Sequence, residues 1–209
     1  MLADRTLADF CAALADRTPT PGGGSVAALL AGLGSGLGAM VCRFSTGERF
    51  AAVSASMEEA ARALDDLRGQ AIPLVDRDAE AYDAVSRALA LPKSTPEEKA
   101  ARKEAMRGAL LGAMAVPLET MRVARSALAA LSPLAAAVNR NVASDLEASG
   151  RCLLAAAEIA AANVRVNALS LKGDSGAQEG LLRAHRLLAE GKAACEDVRA
   201  AAQAHLGPA

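Results

Sequence analysis

The sequence predicts an all-α protein, a single domain over residues 1–209 built as a bundle of about six long helices, some kinked at proline. Three observations predict it. No stretch alternates apolar and polar residues with period two, whereas apolar residues recur at helical spacing along most of the chain. Ala, Leu, Glu, Arg and Lys, all good helix formers, dominate. Aromatic residues make up 2% and Trp is absent, against 52% hydrophobic residues, so the core must be built from Ala, Leu, Val and Gly on closely approaching helices. Such thin helices each bury modest area, which points to self-association.

The first helix is short and amphipathic, Leu2–Asp16. The second, Gly24–Ser45, follows the turn Pro19-Thr20-Pro21-Gly22-Gly23-Gly24-Ser25 and carries no charge from Val26 to Cys42. A long third helix spans Glu48 to about Leu89 and is bent or broken at Pro73. Leu91–Pro96 is a loop. Thr95, Pro96 and Glu98 then supply an N-cap, an N1 proline and a capping-box acid for a fourth helix that runs towards Leu131, disturbed at Pro117. Ser132-Pro133 repeats the start signal. Asn139–Ser144 is a polar break, and Ser144 with Glu147 forms a second capping box. The helix that follows reaches about Leu171 and stops at Gly173. Asp174 or Ser175 caps the last helix, which fades near Leu206. There is no internal repeat and no flexible linker.

Composition excludes several functions. The formal net charge is −1 without a basic run, which disfavours nucleic-acid binding. Cys11, Cys42, Cys152 and Cys195 form no C-x-x-C pair and read as small, buried, reduced thiols of a cytoplasmic protein. His185 and His205 stand alone, and no His/Cys/Glu cluster offers a metal site. No signal-peptide layout opens the chain. The uncharged second helix, with Gly32/Gly36 and Gly34/Gly38 spacings, is diluted by Gly and Ser and suits backbone-to-backbone packing better than a membrane span.

Three features break the local pattern. The glycine-rich turn aims bare N–H groups and the positive end of a helix dipole at whatever lies before it. It is neither a P-loop nor a Rossmann fingerprint. Ala71, Val75, Asp78, Tyr82, Val85 and Leu89 form one helical stripe with a carboxylate at its centre, while Asp76, Glu80, Asp83 and Arg87 lie on another, exposed face. Asp78 is either paired or capping another helix, or it is an acid–base group whose pKa burial raises. On the fifth helix Asp145, Asn163, Asn167 and Ser170 lie opposite the charged stripe Glu147, Arg151, Glu158, Arg165 and Lys172. Those amides either bridge helices or meet a ligand. Lys93 is the one charge of its loop that capping does not explain.

Together these segments resemble the methenyltetrahydrofolate cyclohydrolase / formimidoyltetrahydrofolate cyclodeaminase family. The resemblance rests on the Pro19–Ser25 turn with Met40-Val41-Cys42, on Asp78-Ala79-Glu80-Ala81-Tyr82, and on Leu91-Pro92-Lys93. It rests also on Asn139-Arg140-Asn141-Val142-Ala143-Ser144-Asp145 and on Asn163-Val164-Arg165-Val166-Asn167. The blocks keep their order and span most of the chain. The chain departs from the pattern at Gly47-Glu48-Arg49-Phe50, in place of a lysine run, and at Val138, in place of a glycine.

The resemblance implies an all-helical homodimer acting on a one-carbon derivative of tetrahydrofolate, with no tightly bound cofactor and no metal. It implies Asp78 as the catalytic acid. It implies a substrate cleft drawn from Pro21, Gly22, Gly23, Gly24, Ser25, Tyr82, Lys93, Asn141, Ser144, Asp145, Asn163 and Asn167. Hydrolysis of the methenyl bridge is the expected reaction. Cyclodeamination releasing ammonia, or folate binding without turnover, are the alternatives.

Overall fold

The computed structural model describes residues 1–207; residues 208 and 209, the end of the range read as one domain, lie outside the described residues. Six helices account for most of the chain. They are α1 (Leu7–Ala15), α2 (Gly23–Arg43), α3 (Ser54–Leu89), α4 (Pro96–Leu131), α5 (Ala143–Leu169) and α6 (Ser175–Leu206). Short 3₁₀ turns occupy Leu2–Asp4, Glu48–Phe50, Ser132–Ala137 and Arg140–Val142. Among the described residues there is no strand.

The capping signals explain most of the boundaries. Thr95 caps α4 with the reciprocal Glu98 contacts of a capping box, and Asp174 caps α6 by accepting from the Ala177 N–H at 3.1 Å. The N-terminus differs from the expectation. Thr6, not a residue near Leu2, caps α1, because its hydroxyl accepts from the Asp9 N–H. The preceding 3₁₀ turn is tied down by Asp76, whose carboxylate accepts from the Leu2 and Ala3 N–H groups, so Asp76 is half-buried rather than free in solvent. Ser144 does not cap α5. The helix starts at Ala143 with Val142 at the cap position, leaving Ser144 exposed in the first turn.

Neither internal proline breaks its helix: α3 runs through Pro73 and α4 through Pro117. Each proline removes one N–H and strands one carbonyl four residues earlier. Gly69, the residue stranded by Pro73, is exposed, so water can take its carbonyl. Ala113, stranded by Pro117, is buried and finds a side-chain donor, described below.

α2 is the central element. It packs most extensively on α3 and α5, and twelve of its 21 residues are buried. By length and composition α2, like the segment Arg140–Leu169, is apolar enough to cross a membrane; here it fills the core of the bundle. Small residues make that approach close. A Cβ at Gly34 would stand 2.7 Å from Leu153 Cγ and 3.1 Å from the Ser149 carbonyl of α5. Ser149, wholly buried, donates to the Gly34 carbonyl at 2.7 Å. Of the thiols, Cys42 and Cys195 are buried and Cys152 is half-buried, but Cys11 is exposed on α1; all four are free. Burial pushes the Cys42 thiol up to about 11.

Candidate active site

The turn Pro19–Gly22 delivers the chain to α2 with Gly22 at the N-cap and no capping side chain of its own. A helix start of this kind leaves N–H groups without intrahelical acceptors. The missing cap comes from another helix. Asp78 of α3 places its carboxylate directly over Gly24, where any Cβ would overlap the carboxylate atoms. The wholly buried Ser25 hydroxyl lies 3.0 Å from Asp78 Oδ2 and 3.0 Å from the Val75 carbonyl. The anion before the helix start is therefore the protein's own Asp78.

Burial raises the Asp78 pKa above the ordinary aspartate value. The Ser25 hydroxyl and backbone N–H oppose that rise without cancelling it. Among the described residues no Lys, Arg or His forms an ion pair with it. Of the alternatives open in the sequence, an ion pair is thus excluded, while the capping contact is present and leaves one edge of the carboxyl open. That edge faces a hollow of about 270 Å³.

Pro19, Thr20 and Gly22–Gly24 wall the hollow on one side, and Asp78, Ala81, Tyr82 and Val85 of α3 on another. Ala113 of α4 and Asn163, Val166 and Asn167 of α5 complete it. The two amides differ. Asn163 Nδ2 bonds back to the Ile159 carbonyl of its own helix at 3.0 Å, beside Gly23. Asn167 Nδ2 donates across to Ala113. Each side chain thereby has its NH₂ fixed and its orientation set, and both border the hollow.

Pro21 lies buried in the turn behind this wall, with a cis peptide from Thr20. The other four predicted residues lie elsewhere. Lys93 is exposed in the α3–α4 loop. Asn141, Ser144 and Asp145 sit at the far end of α2, where Asn139 donates to the Phe44 carbonyl at 3.1 Å and its N–H to Ser45 Oγ at 2.9 Å. At 1.5 Å per residue the 21 residues of α2 set the two ends about 30 Å apart.

Sequence reasoning did not select Pro19, Thr20, Ala81, Val85, Ala113 or Val166 for the site. All but Ala113 belong to segments it had singled out, as turn, stripe or motif. The pointer to Ala113 was Pro117, four residues on.

A family model described as formiminotransferase-cyclodeaminase matches residues 6–185. The chain belongs to the formiminotransferase-cyclodeaminase family. A methenyltetrahydrofolate cyclohydrolase of Methylorubrum extorquens is 37% identical over 95% of this chain and 96% of its own length. The formimidoyltransferase-cyclodeaminases of Mus musculus and Gallus gallus are each 34% identical over 91% of this chain, which spans 36% of their length. A crystal structure of formiminotetrahydrofolate cyclodeaminase from Thermotoga maritima superposes with a TM-score of 0.87 at 25% identity, covering 99% of this chain and 100% of that one. That cyclodeaminase thus shares the whole helical architecture described above.

Proposed function

We propose that this chain hydrolyses the methenyl bridge of 5,10-methenyltetrahydrofolate to 10-formyltetrahydrofolate, with Asp78 as the proton shuttle. One observation carries the reading: a desolvated carboxyl, fixed by Gly24 and Ser25 and free of any cationic partner, edges a hollow walled by apolar and amide groups. Ionised, it attracts the cationic bridge and accepts a proton from water as the oxygen–carbon bond forms. It then returns that proton to the ring nitrogen as the carbon–nitrogen bond breaks. The hydroxyl proton of the intermediate leaves to solvent, which balances the charge lost by the substrate. The bridge carbon is already electrophilic, so the reaction needs no tightly bound cofactor.

In this reading Tyr82, Val85 and Val166 face the rings, and Asn163 and Asn167 present carbonyl oxygens to the pterin edge or to the water. One helical turn further along the α4–α5 seam, past Ala113 and Asn167, lies a second hollow of about 400 Å³ lined by Leu110, Ser170, Lys103 and Lys172. Its two lysines, rather than Lys93, suit the glutamate carboxylates of a folate. The enzyme would work in the cytoplasm as a homodimer, and the exposure of Leu33 in α2 and of Phe44 just beyond it supports self-association.

Cyclodeamination of formimidoyltetrahydrofolate is the second reading, favoured by the likeness to the Thermotoga maritima cyclodeaminase. The test is direct. Purified protein is mixed with methenyltetrahydrofolate, and loss of the near-ultraviolet chromophore is followed. Formimidoyltetrahydrofolate is tried in parallel, with ammonia measured. Methenyl hydrolysis that is lost in Asp78→Asn is expected. Ammonia release without methenyl hydrolysis would transfer the assignment to the deaminase, and binding without either would make the chain a folate-binding protein.

A further inference from the structure

Ser25 is wholly buried at the third position of α2, with one hydroxyl hydrogen and two acceptors, the Val75 carbonyl and Asp78 Oδ2, each at 3.0 Å. A buried hydroxyl can donate to only one of them at a time. We propose that Ser25 is a positioning residue whose hydroxyl turns between Val75 and Asp78 as Asp78 loses and regains its proton.

With Asp78 ionised, Ser25 donates to the carboxylate. The Val75 carbonyl then keeps the Ala79 N–H of its own helix. With Asp78 protonated, the carboxylic O–H donates to Ser25 Oγ, and Ser25 donates to Val75. Both states are fully hydrogen-bonded, and passing between them rotates one O–H and moves no heavy atom. A neutral apolar neighbour would favour the protonated acid, and a fixed donor such as a lysine would favour the anion. A hydroxyl with a second acceptor suits an acid that must visit both states within one turnover. No covalent bond to Ser25 is made or broken.

The surroundings leave this pair to itself. From α2 it meets Gly24 on a helix whose one charge, Arg43, stands at the opposite end, from α5 Asn163 and Asn167, and from α4 Ala113. On α3 itself, Tyr82 is the other titratable group lining the hollow, Asp76 is engaged by Leu2 and Ala3, and Arg77 and Glu80 are exposed.

The inference rests on Asp78 being the acid–base group, so it is read in two ways, one independent of turnover. In protein labelled with ¹³C-carboxyl aspartate, the Asp78 resonance is assigned by its loss in Asp78→Asn and titrated. Ser25→Ala removes the donor to the anion and should move the Asp78 midpoint upward by about one to two pH units. The acid limb of kcat should move with it, and Ser25→Thr should restore both. If Ser25→Ala does not fold, Ser25→Cys, of similar size and a weak donor, should shift the midpoint in the same direction. An unmoved midpoint in the folded Ser25 variant overturns the proposal, as does a fall in kcat that is uniform across pH. A midpoint that moves in a protein turning over neither folate would instead refute the assigned function and leave the hydroxyl relay standing.

Discussion

Asn167 of α5 donates its amide to the Ala113 carbonyl of α4 at 3.1 Å, the acceptor that Pro117 leaves without a helical N–H. The proline and the asparagine are two halves of one device. Pro117 opens the backbone of α4 at the edge of the hollow, and Asn167 fills the gap while its own carbonyl stays available. Replacing Asn167 by Ala should orphan a buried carbonyl and cost about 1–3 kcal/mol in urea unfolding. Adding Pro117→Ala restores an N–H for Ala113 and should recover most of that loss. A double variant no more stable than Asn167→Ala alone would dissolve the link.

Gly24 makes the opposite kind of demand. In the first turn of a helix Ala is normally the better residue by about 1 kcal/mol. Here its methyl would occupy the space of the Asp78 carboxylate, the mobile end of a side chain that can swing away. Gly24→Ala should therefore keep its helical circular dichroism and cooperative melting while losing about 100-fold in kcat, the scale set by a misplacement of about 1 Å. Turnover within a few-fold of the native rate would mean that the position of Asp78 is not critical.

These two relationships mark the border of what the residues disclosed on their own. Helical periodicity located all six helices, and caps fixed the starts of α4 and α6, because those signals are local. Asp78 stood out because a carboxylate inside an apolar stripe is costly wherever the stripe packs. The glycine turn was visible as an anion-binding device. That the anion is Asp78 depends on how α2 crosses α3, which no local pattern encodes. The fates of Asn163 and Asn167 likewise turned on tertiary neighbours, one bonding within its helix and the other across to a proline-made vacancy. Pro73 read as a bend or break and Pro117 as a disturbance because each costs a hydrogen bond. Packing along α3 and α4 outweighs that loss.

The elevated pKa of Asp78 has a consequence for stability. Burial is its largest cause, opposed by the Ser25 hydroxyl and N–H. The folded state therefore holds the proton more tightly than the unfolded chain. By linkage, the stabilisation this group gives is complete below its unfolded pKa and is lost as pH rises through the folded pKa. Above its folded pKa the ionised Asp78 is a net burden, as expected for a group kept for function. Asp78→Asn should thus melt higher than the native protein at pH 7, and the gap should close as pH falls towards the ordinary aspartate range. A variant less stable at pH 7, or a gap independent of pH, would contradict the desolvated state of this carboxyl.

Asn141, Ser144 and Asp145, expected in the cleft, lie at the opposite end of α2, about 30 Å along that helix from the Gly22–Ser25 turn. Along α2 the large residues Val26, Leu30, Leu33, Leu37, Met40 and Phe44 repeat at spacings of four and three and form a stripe. Its centre and end are open, with Leu33 49% and Phe44 58% exposed. A two-fold axis near Leu33 would set two such helices antiparallel and self-complementary. It would bring the start of one α2 opposite the end of the other. The Asn141–Asp145 segment of the partner subunit would then stand by the Gly22–Ser25 turn, and each site would draw on both chains. Leu33→Asp should shift the protein from dimer to monomer on a sizing column while the monomer keeps its helical circular dichroism. Activity should fall with the dimer fraction. A fully active Leu33→Asp monomer would show that one chain suffices.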